Sequence, residues 1–465
     1  MKYVSSRGQA PELGFDDVLL TGLARDGGLY IPSEWPQLSQ DEIRSFRGMS
    51  YQDVAFRVMK PFVCGEGSSI SEDDFEAIIA KAYSTFRHKA VVPLAQLDTN
   101  QWILELFHGP TLAFKDVALQ LLGHLFDHVL TKQGRKVTIV GATSGDTGSA
   151  AIECVRDRAC ADIFMLHPHG RVSDVQRRQM TTVMSANVHN LAVEGNFDDC
   201  QAMVKSLFND LAFRDEITLS AVNSINWARV MAQIVYYFTS AVALGAPDRE
   251  VSYSVPTGNF GDIYAGYVAQ QMGLPIKQLI VATNRNDILT RVLTSGDYTV
   301  GTVSPTISPS MDIQVSSNFE RLLFNLYDGQ GDDVRRLMDN LTQSGSFSLD
   351  PAQLTKAGQS FDALQVSEGD TEATIKRIFE ETGMLVDPHT AVGIKTSQDK
   401  NTDPATPMVT LSTAHPAKFP EAVEKVTGQH PELPAHMADL FEREEKYDRL
   451  DHDLDDLKSY IRSHL

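Results

Sequence analysis

Cysteine is scarce in this sequence. Four residues, at 64, 154, 160 and 200, stand at irregular spacings with no C-x-x-C pair, which excludes a disulfide-built scaffold and argues against a thiolate metal site. Positive charge is also short. Forty-one Lys and Arg against 61 Asp and Glu leave a net charge of −20, which argues against nucleic-acid or anionic-membrane partners and requires local cations wherever an anion binds. Long apolar runs are missing: none reaches the roughly 18 to 20 residues of a membrane span. The nearest, "ARVMAQIVYYFTSAVALGA" from 228 to 246, is interrupted by Arg229 and Gln233 and reads as a buried helix. The opening "MKYVSSRGQAPELGFDDVLL" has neither the charged start nor the apolar core of a secretory signal, so a cytoplasmic location is expected.

What the chain has is 42 % hydrophobic residues over 465 positions, enough for two or three domains. β-rich runs alternate with helical patterns: "KVTIVGAT" before "SAAIECVRD", "ADIFMLHP" before "VSDVQRRQMTTV", and "NVHNLAV" before "FDDCQAMVKSLFND". Such alternation predicts a mostly parallel sheet covered by helices. A second α/β series begins at "VSYSVPTGNFGD", continues through "KQLIVATN" and returns at "PMVTLSTAHPAKF". The first hundred residues look mainly helical, with Ser-capped starts at "SQDEIRSF" and "SEDDFEAIIAKAYSTF". The final "DLFEREEKYDRLDHDLDDLKSYIRSHL" reads as a solvated helix with an apolar stripe.

Three stretches carry candidate chemistry. In "HGPTLAFKDVALQLLGHL", the spacing of Val117, Leu121, Leu122, Leu125 and Phe126 predicts a helix beginning near Lys115, with Asp116 directly behind. Burial and the helix dipole both disfavour an ammonium there, and an amine of lowered pKa attacks carbonyls. A lysine that merely extends to water at a helix start satisfies the same residues. "TIVGATSGDTGSAAIE" is a strand, a glycine- and hydroxyl-rich turn and a helix; its exposed N–H groups suit an anion, although a capped turn accounts for Gly145, Asp146 and Thr147 equally well. "VPTGNFGDIYAG" repeats the design around Gly258 and Gly261. Neither loop fits the nucleotide patterns G-x-x-x-x-G-K-[ST] or G-x-G-x-x-G. An activated amine and two anion cradles together suit a phosphorylated aldehyde cofactor, pyridoxal 5′-phosphate, acting on an amino acid.

"ELFHGPTLAFKD", "GATSGDTGSAA", "NSIN", "VPTGNFGD" and "STAHPAKF", in this order, closely resemble the threonine synthase family, in its longer bacterial and fungal class, and "DGGLYIP" near residues 26 to 32 fits as well. The resemblance implies an α/β, fold type II pyridoxal-phosphate enzyme with two open, mostly parallel sheets and a mainly helical N-terminal extension. It divides the chain into an N-terminal domain (1–95), a large cofactor-binding α/β domain (96–125 with 245–430), a small α/β domain (126–244) and a C-terminal helical segment (431–465).

The implied reaction converts O-phospho-L-homoserine and water to L-threonine and phosphate by γ-elimination and β-addition; a phosphohomoserine lyase or a serine/threonine dehydratase of the same fold is the alternative. Lys115 matches the Schiff-base lysine. Gly258, Asn259, Phe260, Gly261 and Asp262 match the cofactor loop, and Thr413 the hydroxyl facing the pyridine nitrogen. Ser144, Gly145, Asp146 and Thr147 match the substrate-carboxylate turn. Asn223, Ser224, Asn226 and Arg229 are candidates for the substrate phosphate, and a strand end capping a buried helix explains these four equally well. Arg7, Arg171 and Gln179 are further candidates, while His167, His169 and His389 receive no role. A small-molecule substrate is expected, with no nucleic-acid or membrane partner, on a monomer or dimer.

Overall fold

The alternating runs resolve into two sheets. The computed structural model describes residues 1–143, 145–220 and 224–465, without the side chain of Asp146. Among the described residues, six strands lie in the order Phe361–Gln365, Ile276–Thr283, Val251–Pro256, Met408–Ser412, Gln101–Glu105 and Leu94–Asp98. All neighbours are parallel except the last pair. A second, all-parallel sheet runs Asp448–Leu450, Val188–Val193, Ala161–Pro168, Val137–Ala142 and Leu219–Ser220. Val251–Pro256 and Val188–Val193 are buried at every position, as strands covered on both faces must be.

Three central neighbours of the larger sheet, Gln101–Glu105, Met408–Ser412 and Val251–Pro256, run parallel, so their carboxyl ends share one edge. "HGPTLAFK", "TAHP" and "TGNFG" leave from those ends. Motifs separated by as much as 300 residues therefore open into one crevice, the place where parallel sheets of this kind bind ligands.

The apolar segment expected to be a buried helix is one. Trp227–Ala243 packs against helices Tyr51–Val63, Lys115–Gln133 and Gly261–Gln271. Trp227 is wholly buried, with the rings of Tyr3, Trp35 and Phe62 at 6.3, 6.1 and 5.7 Å. Truncating such a ring costs roughly 3–5 kcal/mol, so the N-terminal residues are part of the main core. Their helices carry the expected caps: Ser39 forms a reciprocal capping box with Glu42, and Ser71 caps the N–H of Asp74. Among the described residues no helix is long and apolar enough to cross a membrane.

The C-terminal segment differs from expectation. Asp448–Leu450 adds a parallel edge strand to the smaller sheet, and helix Leu454–His464 buries Leu457 and Ile461 against Phe164 and Leu191. Three residues flanked by charge give no periodic strand signal, whereas the Leu457/Ile461 stripe was already visible at i, i+4 spacing.

Candidate active site

Lys115 opens helix Lys115–Gln133 and is only 9 % exposed, its Nζ lying 5.0 Å from the centroid of the Phe114 ring. Its position is set by a short antiparallel stitch. Phe114 N–H donates to Thr413 C=O at 2.8 Å, His415 N–H donates to Leu112 C=O at 3.0 Å, and Ala113 bridges Ala414. Lys115 and Thr413 consequently line the same cavity, of about 620 Å³. Asp116, fully buried, accepts from both the N–H and the Oγ1 of Thr111 at 2.7 Å, which anchors the turn before the lysine. Burial raises its carboxyl to about 6. Lys418, absent from the sequence-based set, donates to Thr111 C=O and to Gln179 Oε1, both at 2.8 Å.

The glycine loop follows strand Val251–Pro256. Phe260 takes a left-handed φ of 63° and is anchored by the rings of Phe319 and Phe361, after which helix Gly261–Gln271 begins. A Cβ on Gly258 would lie 2.8 Å from Ser310 C=O, so the backbone there approaches as only glycine can. Among the described residues, the N–H groups of Gly258, Asn259, Phe260 and Gly261 find no acceptor. Unspent donors at a helix start, with a buried amine across the same cavity, fit a phosphate-bearing aldehyde. The side chain of Asp262 turns the other way, accepting from Tyr236 Oη and, at 3.2 Å, from Tyr237 Oη on Oδ1. Its Oδ2 is buried with no partner among the described residues, and burial pushes the carboxyl up to about 7.

In the smaller unit, Thr143 Oγ1 accepts from the N–H groups of Gly145 (2.9 Å) and Gly148 (3.0 Å), shaping the turn before helix Asp146–Val155. Gly145, with φ at 146°, abuts Gln176 Oε1, which leaves no room for a Cβ. Thr147 is exposed at the cavity wall. Ser144, Asn223 and the side chain of Asp146 lie outside the described residues.

The phosphate candidates separate. Ser224 and Arg229 line the cavity. Arg229 is 6 % exposed, its Nε has no partner among the described residues, and burial lowers it to about 10, which leaves it cationic. Among the described residues Arg229 forms no ion pair, and a buried cation of that kind is an anion receptor in waiting. Asn226 is a correction. Its Oδ1 caps Ala228 N–H at 3.0 Å and its Nδ2 donates to Leu19 C=O at 2.7 Å, so a wholly buried side chain is already spent on the helix start. Arg7 is likewise spent, in a bidentate pair with Glu320 at 2.9 and 3.0 Å, and Gln179 serves Lys418. Arg171 is exposed beside a different cavity.

His389, given no role from sequence, lines the cavity. Its Nδ1 lies 2.7 Å from Asp387 Oδ2, and its Nε2 accepts from Ser310 N–H at 3.1 Å, so both ring nitrogens are held in place at the cavity wall. The signal was an aspartate two residues before a histidine in "DPHTAVG". His167, which burial depresses to about 4, and His169, beside Glu194 at 3.1 Å, lie elsewhere. Asp312, also in the wall, accepts from Thr306, Asn284 and Asn286 at 2.6, 2.8 and 3.0 Å. Lys115, Lys205 and Arg229 all line the cavity inside a strongly acidic protein.

Residues 2–83 match the family model "Threonine synthase N terminus", 89–340 "Pyridoxal-phosphate dependent enzyme" and 390–461 "Threonine synthase, C-terminal". The chain is 57 % identical to a threonine synthase of Pseudomonas aeruginosa, over 100 % of its own length and 98 % of that protein. A crystal structure of pyridoxal-phosphate-bound threonine synthase from Brucella melitensis superposes with a TM-score of 0.98 at 56 % identity, covering 100 % and 99 % of the two chains. The yeast threonine synthase structure gives 0.95 at 40 % identity, with 100 % and 98 % covered.

Proposed function

The chain belongs to the threonine synthase family, and from that premise we propose how its residues serve the conversion of O-phospho-L-homoserine and water to L-threonine and phosphate. The observation that carries the proposal is the convergence of Lys115, the Gly258–Gly261 turn, Thr413 and Arg229 on one cavity. Bound there, pyridoxal 5′-phosphate supplies an aldehyde for amine capture and a ring that takes up electron density from the α- and β-carbons.

Lys115 Nζ would hold that aldehyde and would also supply the base that removes the substrate's α-proton. The N–H groups of Gly258 to Gly261 would hold the cofactor phosphate at the positive end of their helix. Thr413 would place a hydroxyl against the ring nitrogen, and a hydroxyl does not compel protonation there as a carboxylate would. The turn at Gly145 to Thr147 would take the substrate carboxylate, and Ser224 with Arg229 the phosphate that departs. Holding amine, carboxylate and phosphate at three separate points orients each proton transfer, and a misplacement of about 1 Å costs on the order of a hundredfold.

The large cofactor-binding unit is read as 96–125 with 245–430 and the small unit as 126–244. The net charge of −20 supports a protein that acts on its small-molecule substrate without a nucleic-acid partner. We take it to act in the cytoplasm as a monomer or dimer. Incubating the holoprotein with O-phospho-L-homoserine should release phosphate and threonine in equal amounts. Phosphate accompanied by an oxo-acid and no threonine would refute the β-addition.

A further inference from the structure

Arg321 is a buried charge that the chemistry above leaves unused. It lies on helix Phe319–Leu326 at 0 % exposure, 5.8 Å from the centroid of the Trp227 ring. Burial lowers the guanidinium to about 10, so it is charged at neutral pH. Among the described residues it forms no ion pair, and the neighbouring Glu320 turns instead to Ser6 and Arg7. Its donors go to oxygens of two distant segments and to the side chain three residues before it. Nε and Nη2 reach Tyr30 C=O at 3.1 and 3.0 Å, Nη2 reaches Ile225 C=O at 2.6 Å, and Nη1 donates to Asn318 Oδ1.

That last bond decides which way the Asn318 amide faces. With Oδ1 held by the guanidinium, Nδ2 points away and donates to Ser224 C=O at 3.0 Å and Asn259 C=O at 3.1 Å. Asn318 N–H adds a second bond to Asn259 C=O at 3.0 Å. In a trans peptide the C=O of one residue opposes the N–H of the next. Holding the carbonyls of Ser224, Ile225 and Asn259 from behind therefore sets the directions of the N–H groups of Ile225, Asn226 and Phe260.

We propose that Arg321, working through Asn318, is a positioning residue that sets the spacing and orientation of two anion-binding turns, Gly258–Gly261 for the cofactor phosphate and Ser224–Arg229 for the substrate phosphate. The inference rests on the assignment of those turns made above. It also gives the N-terminal residues a part in the site, because Tyr30 shares the same guanidinium.

Two variants test it. Arg321→Lys keeps the charge, but one ammonium cannot span Tyr30, Ile225 and Asn318 at once. Asn318→Asp keeps the shape and the bond to Arg321 while turning the donor toward Ser224 and Asn259 into an acceptor. For each variant, cofactor dissociation is measured by absorbance titration of the resolved protein, KM and kcat with O-phospho-L-homoserine, and Tm by calorimetry. The expected result is cofactor binding weaker by about tenfold and KM higher by about tenfold, with kcat per bound cofactor within about threefold. Weaker cofactor binding with an unchanged KM would uphold the role of Arg321 at the glycine turn and reject Ser224–Arg229 as the substrate-phosphate site. A lowered Tm with both constants within about twofold of the parent would make Arg321 a packing residue and overturn the inference. Should Arg321→Lys fail to fold, Asn318→Asp decides alone.

Discussion

Asp262→Asn isolates the strongly perturbed carboxyl that lies behind the glycine turn. Asp262 is 7 % exposed, accepts from two tyrosines on one oxygen and has no partner among the described residues on the other, and burial raises its value from 3.8 to about 7. Folding at pH 5 therefore takes up a proton. The stability this group contributes is fully present below its unfolded value of 3.8 and is lost as pH climbs through about 7, above which it changes no further. Across pH 5 to 8 the loss amounts to about 3 kcal/mol. Asparagine is isosteric, accepts from the same phenols and cannot ionise, so it escapes that loss. With an unfolding entropy of roughly 2.1 cal/mol/K per residue, a chain of this length shifts by about 1 °C per kcal/mol. Calorimetry of the cofactor-free parent and variant should thus show a Tm gap that widens in favour of the variant by about 3 °C between pH 5 and 8. A gap that stays constant or narrows would mean that Asp262 is ionised throughout, and the account of its burial would be wrong.

Lys115→Ala should leave the fold intact while abolishing the borohydride-sensitive visible band and lowering turnover by at least about a thousandfold; full activity would end the assignment. Thr413→Val should retain bound cofactor yet slow turnover roughly tenfold, measured under saturating substrate. Gly258→Ala pushes a methyl to 2.8 Å from Ser310 C=O, so the turn must move and cofactor affinity, read by spectral titration, should fall about tenfold or more.

Much of this site was legible because its parts are local. A strand, a glycine turn and a helix start occupy a dozen residues each, and the spacing of apolar positions alone placed Lys115 at a helix N-terminus. What escaped depends on partners far along the chain. His389 acquires its place from Ser310, 79 residues away, and Arg321 from Tyr30, 291 residues away. No local pattern records such meetings. Asn226 shows the opposite failure: a capping amide and a ligand-binding amide have the same chemistry, and only the presence of Leu19 C=O 2.7 Å away decides between them. The strand Asp448–Leu450 was hidden because three residues cannot display a period.

That small strand has a consequence for handling the protein. Asp448–Leu450 covers the outer amides and carbonyls of residues 191–193, the second half of Val188–Val193, a strand with every residue buried. Clipping the chain just before it would leave a sticky template for copies of the same ribbon. Preparations trimmed by protease at the tail should therefore cloud and precipitate well before the catalytic residues are disturbed.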